Sequence, residues 1–104
     1  VLYIIYQEDG PGSAEIRRRV KQSHLEYLNR HKDVLVLGGA MLAQDGVERI
    51  GSVLILNLPN RLSAEAFSAN EPLRKAGAFH SVKITRMRRG QWNPAAAPAT
   101  EEGN

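Results

Sequence analysis

The sequence contains no cysteine, which rules out disulfides, thiolate nucleophiles and cysteine-held zinc or iron–sulfur sites. No apolar run approaches the roughly 18 to 20 residues that a membrane-crossing helix needs. The opening "VLYIIYQEDG" is apolar, but no basic segment precedes it and no small-residue cleavage site follows. It reads as a buried strand rather than a signal peptide, and the expected location is the cytoplasm. Aromatic residues are scarce at 6%, and no glycine-rich phosphate loop is present. Neither sign of charge dominates, since 14 basic against 11 acidic residues leave a net +3. The basic surplus gathers at Arg17–Arg19 and in "RMRRGQW", 86–92. Such clusters suit a solvated helix face and a charged strand end as well as an anionic ligand.

At 104 residues, 42% of them hydrophobic, the chain is long enough for one domain with a modest core. Val1 to Gln7 is a nearly unbroken β-branched and aromatic run, the pattern of a strand buried on both faces. "EDGPGS" marks a loop, with Ser13 placed to cap a helix that runs to about Lys32 and Glu15 in its first turn. "DVLVLGGAML" and "GSVLILNL" (51–58) form the next two strands, joined through the Asp45-Gly46 turn signal. Pro59 and Asn60 end the third strand before a short helix from about Ser63 to Ala69. "NEPLRKAG" is a separate helical turn, and "AFHSVKITRM" a last strand with Val82 and Ile84 alternating. The domain therefore spans 1–92, and 93–104 is expected to be a disordered tail.

This β-α-β-β-α-β order specifies an α+β, ferredoxin-like protomer with an antiparallel sheet in the order 4-1-3-2. Two helices cover only one face of four strands, yet the first three strands are apolar on both faces. A second copy of the chain is the simplest cover, so a homodimer is expected. RNA-recognition modules share the element order, but their signature needs aromatic and basic residues on a central strand. "GSVLILNL" has neither, and Tyr3 and Tyr6 alternate to opposite faces, so no nucleic-acid partner is expected.

Two of the three histidines lie in "QSHLEYLNRH", 22–31. Measured from Ile16, His24 falls at about 80° and His31 at about 60° around the helix, inside the apolar stripe with Val20, Tyr27 and Leu28. Arg17 sits at the stripe's edge. A buried imidazole requires a partner for at least one ring nitrogen, and a backbone carbonyl or hydroxyl would suffice. The pair does not suit a metal, because seven helical residues separate their backbones by about 10.5 Å. His80 stands on a strand without neighbouring ligand residues. In "ANEPLRKAG", Pro72 ends the preceding helix near Glu71, Asn70 can cap the next turn, and Gly77 can stop it. Glu71 then sits at a kink, either as ordinary capping electrostatics or as a fixed carboxylate able to orient a histidine.

The segments "LYIIYQEDG", "SHLEYL", "LVLGGAM", "GSVLIL" and "ANEPLRKAGAFHSVKI" resemble the YciI-like proteins of the dimeric α+β barrel superfamily, over about Val1 to Arg88. The resemblance implies a histidine–aspartate active-site pair. Its histidine maps onto His24, which directly precedes Leu25, and its acid maps onto Glu71, where aspartate is usual. Leu73, in place of an aromatic residue, and Gly38-Gly39, in place of glycine-proline, are further departures. The superfamily's chemistry, on small aromatic or ring-derived compounds, implies a cofactor-independent lyase or isomerase moving a proton on a small anionic molecule. His24 and Glu71 would be catalytic, Arg17 is the candidate for holding a substrate carboxylate, and neither metal nor cofactor is expected. The alternative is a non-catalytic module that binds a small molecule or regulates through it.

Overall fold

The computed structural model describes residues 1–102. Alternation sets the architecture. In β1 (Leu2–Asp9), Tyr3, Ile5 and Gln7 are buried on one face, while Tyr6 on the other is exposed. β3 (Arg49–Asn57) does the same, with Leu54 and Leu56 buried and Val53 and Ile55 only half-buried. The register pairs Ile5 with Leu54 and Ile4 with Ile55, so each face of the sheet is continuous across the two central strands. β2 (Leu35–Leu42) and β4 (Phe79–Met87) flank them in the order β2-β3-β1-β4, every pair antiparallel. This is the ferredoxin-like arrangement that the element order implies.

α1 (Ser13–Arg30) and α2 (Arg61–Asn70) contribute Tyr27 and Phe67 to a core with Ile5, Leu54 and Leu56. The Tyr27 hydroxyl donates to the Phe67 carbonyl at 2.7 Å, tying the two helices through a satisfied buried polar group. α3 (Pro72–Lys75) follows at once and buries Leu73. The other sheet face has no helix over it, and Leu37 there is 65% exposed. Among the described residues the α-helices cover one face of the central strands, and the segment from Trp92 to Ala97 borders a hollow on the other beside Leu37 and Ile55. Among the described residues no helix is long and apolar enough to cross a membrane.

Local details depart from the sequence reading at the helix starts. Ser13 is not a cap but the first helical residue; the cap position is Gly12, with φ +76 and no side-chain bond. The Gly10 carbonyl takes the Ser13 N–H, closing a turn that only a residue tolerant of left-handed backbone completes easily. α1 stops at Arg30 rather than Lys32, where His31 turns its N–H back to the Leu28 carbonyl. Asn60 caps α2, accepting the Ser63 N–H at 2.8 Å, so this helix starts two residues early. In the β2–β3 turn, Asp45 accepts the Val47 and Glu48 N–H groups, which hold its carboxyl below the usual aspartate range. Within the stretch read as a tail, Pro94–Ala96 forms one exposed 3-10 turn, and 103–104 lie outside the described residues.

Leu56 is fully buried, so Leu56→Ala leaves a cavity and is expected to cost about 3 kcal/mol. Thermal unfolding should then shift down by at least about 10 °C. Val47→Ala, at a position 81% exposed, should leave the transition within about 2 °C of wild type.

Candidate active site

The site is built around a proline. Pro72 disfavours helical backbone at the preceding residue, and Glu71 is extended at φ −70, ψ 128, which separates α2 from α3. Glu71 is itself the N-cap of α3, its Oε1 accepting the Leu73 N–H at 3.2 Å. Asn70, expected to be that cap, is instead the last residue of α2 and donates from Nδ2 to the Ala66 carbonyl. Gly77, with φ +82, ends the short turn as its position suggests. The Glu71 side chain is 1% exposed, and Oε2 is buried without a hydrogen-bond partner among the described residues.

His24 reaches this carboxylate from the middle of α1, with Nδ1 2.5 Å from Glu71 Oε1. An ionised carboxylate only accepts, so Nδ1 donates in this contact, and in the neutral imidazole the lone pair is then on Nε2. The contact brings together residues 47 positions apart. The charge of Glu71 is also felt by Tyr27, whose hydroxyl is pushed above its usual pKa first by burial and then by this carboxylate.

His24 borders a cleft of about 150 Å³ between α1 and the β2 edge of the sheet. Gln7 and Ser52 are in its wall, with the Gln7 Nε2 donating to Ser52 Oγ at 2.8 Å. Arg17 also borders it, but both of its contacts go to Asp9: Nη2 to Oδ1 at 2.8 Å and Nε to Oδ2 at 3.3 Å. Its guanidinium is therefore matched by a carboxylate that is itself only 8% exposed. Arg49 is the other arginine of the cleft, and Gly38 to Ala40 supply its β2 side. Among the described residues no three His, Asp or Glu side chains are grouped to hold a metal ion.

His31 does not share this environment. Its Nδ1 faces the Tyr27 carbonyl at 2.8 Å and its ring packs on Tyr27 and Phe67, the backbone-satisfied alternative left open for a stripe histidine. His80 is exposed, 3.9 Å from Glu8. Sequence reasoning missed Asp9, Gln7, Arg49 and Ser52. A signal existed for two of them: Gln7 continues the inward series Tyr3, Ile5, and Ser52 precedes inward Leu54 and Leu56. Polar residues in core register mark a wet or functional cavity.

Comparison with known proteins agrees with the fold. The model of the YCII-related domain matches residues 1–88. The chain belongs to the YCII-related family. Among solved structures, 5-chloro-2-hydroxyhydroquinone dehydrochlorinase (TftG) from Burkholderia phenoliruptrix AC1100, in complex with 2,5-dihydroxybenzoquinone, is 32% identical with a TM-score of 0.78. The match covers 86% of this YCII-related chain and 96% of that one. An antibiotic biosynthesis monooxygenase (16% identity, TM-score 0.50, 85% and 97% covered) shares the fold. So does protein Atu4242 from Agrobacterium tumefaciens (16% identity, TM-score 0.52, 90% and 98% covered). A comparison with curated proteins finds no match.

The His24–Glu71 contact predicts a strongly deshielded Nδ1 proton in the ¹H NMR spectrum, absent in His24→Asn. Glu71→Gln should move it well upfield, and an unmoved signal would show that the two side chains do not meet in solution. Glu71→Ala, which orphans the buried Leu73 N–H and the imidazole, should destabilise the fold by about 1–3 kcal/mol in denaturant titrations.

Proposed function

We propose that this protein is a cofactor-independent lyase or isomerase acting on a small, anionic, aromatic or ring-derived compound. The observation that carries the reading is the imidazole of His24, held through Nδ1 by a buried carboxylate at the border of the cleft. In this scheme Nε2 removes a proton from an acidic ring hydroxyl or ring carbon. The electron pair released on the ring expels a leaving group such as chloride, or shifts a double bond when none is present. The imidazolium so formed is stabilised by Glu71 and returns its proton to solvent or product. Likeness to a dehydrochlorinase of hydroxylated, chlorinated rings supports both the proton-transfer chemistry and the ring class. The cleft volume, about 150 Å³, suits a single ring.

A second reading, a binding module without turnover, draws on one departure. Glu71 stands where the resembling family has aspartate, and its extra methylene could shift the imidazole from a productive angle. Tight binding without turnover, unaffected by Glu71→Gln, would favour this reading.

The proposed dimer follows from the open sheet face. Leu2, Val36, Leu37, Ile55, Met87 and Trp92 border an apolar hollow of about 610 Å³ there. It lacks a histidine or carboxylate, so it suits a protein surface better than a reaction.

The enzymatic reading predicts chloride release or a spectral change when 5-chloro-2-hydroxyhydroquinone and related ring substrates are supplied. His24→Ala should then lower kcat by about 10²- to 10⁴-fold while the melting curve stays near wild type. Ring compounds that bind but are never converted would sink the reading. Sedimentation of the wild type should give twice the protomer mass, and Ile55→Glu should give the protomer mass. A monomeric wild type would refute the dimer.

A further inference from the structure

The cleft contains two arginines, and their circumstances differ. Arg17 is held by Asp9 through two hydrogen bonds, with side chains 13% and 8% exposed. An anion arriving there would meet a cation already neutralised at close range. Arg49 makes no ion pair and no side-chain hydrogen bond among the described residues, and it is exposed at the cleft mouth.

Its position results from an irregularity in the ladder. β2 and β3 pair Met41 with Gly51 but Leu42 with Arg49, leaving Ile50 as an extra residue. Strict alternation would put Arg49 on the open face with Gly51, Val53 and Ile55. The shifted register brings it to the same cleft as Ser52 and Leu54, as a bulge re-aims the side chains beside it. Gly51 keeps the strands close at this point, since a Cβ there would overlap the Gln7 carbonyl oxygen. The Ser52 hydroxyl, which receives the Gln7 N–H, retains its own hydrogen to donate.

We propose that Arg49, rather than Arg17, is the anion-binding residue of this cleft, and that with Ser52 it selects ring compounds carrying an ionised oxygen. The assignment rests on the reading of the cleft as a ligand site. Arg49 supplies the uncompensated charge, and Ser52 offers a hydrogen bond to a second ring oxygen. Arg17, pinned by Asp9, shapes the wall beside His24.

The test is calorimetric titration with 2,5-dihydroxybenzoquinone, an acid that is anionic near neutral pH, and with its neutral dimethyl ether. Wild type should bind the anion more tightly than the ether, and its affinity for the anion should fall as sodium chloride rises. Arg49→Gln should weaken anion binding about tenfold or more, abolish that salt dependence and leave the ether unaffected. Arg49→Lys should recover part of the loss. An exposed arginine without intramolecular bonds is replaced at little cost to folding, so melting curves should coincide. If wild type binds the anion and Arg49→Gln binds it equally, the Arg49 assignment is overturned while the cleft remains a ligand site. If wild type binds neither probe, both the assignment and the reading beneath it fall.

Discussion

One carboxylate oxygen, Oε1 of Glu71, joins the parts on which the candidate site depends. It accepts the N–H of Leu73 and so begins α3, and it meets Nδ1 of His24 and so fixes a ring in the middle of α1. The Glu71 side chain that makes both contacts is 1% exposed, so removing its carboxylate strands the buried Leu73 N–H. Turning the imidazole away would leave this buried oxygen with the Leu73 N–H alone. A histidine anchored in this way has a defined tautomer and orientation before any ligand arrives. Proton transfer requires that preorganisation.

The surrounding charges follow a similar logic of commitment. Asp9 and Arg17 satisfy one another at the cleft wall, and the pair packs beneath Phe79, whose ring centroid lies 5.7 Å from the Arg17 guanidinium. A partly buried cation with a matched anion stabilises position more than it attracts ligands. Arg49, unmatched and nearer solvent, leaves a net positive mouth. The cleft thus combines a neutralised wall, an imidazole held by a carboxylate and a positive entrance. Under the proposed function, that ordering would draw an anion inward toward the histidine.

Much of this was legible in the sequence, for identifiable reasons. Strand alternation, the Asp45-Gly46 turn and the Pro72 break are local signals, and each element they imply is present. The angular position of His24 on the helix placed it inward, though the same rule placed His31 inward too and could not separate their partners. Only tertiary structure does so, by giving one a carboxylate and the other a carbonyl. Arg49 was illegible because a register shift, invisible in composition or period, moves it across the sheet. Arg17 was legible as a neighbour of His24 but not as half of an ion pair, since Asp9 reaches it across the β1–α1 loop. Capping was misassigned at Ser13 and Asn70 because the cap position falls on an adjacent residue, on Gly12 in left-handed backbone and on Glu71 in extended backbone.

Glutamate at residue 71 also carries a structural consequence. Short side chains dominate N-caps because they reach their own helix without folding back. Glu71 satisfies the Leu73 N–H with one oxygen of a longer chain, and the other oxygen is buried with no hydrogen-bond partner among the described residues. An aspartate on the same backbone would hold the cap more readily, but its carboxylate would stand one methylene farther from α1. The longer Glu71 chain brings one oxygen, Oε1, to both His24 and the Leu73 N–H. That oxygen is thereby held from two sides, by a helix start and by a ring of the neighbouring helix.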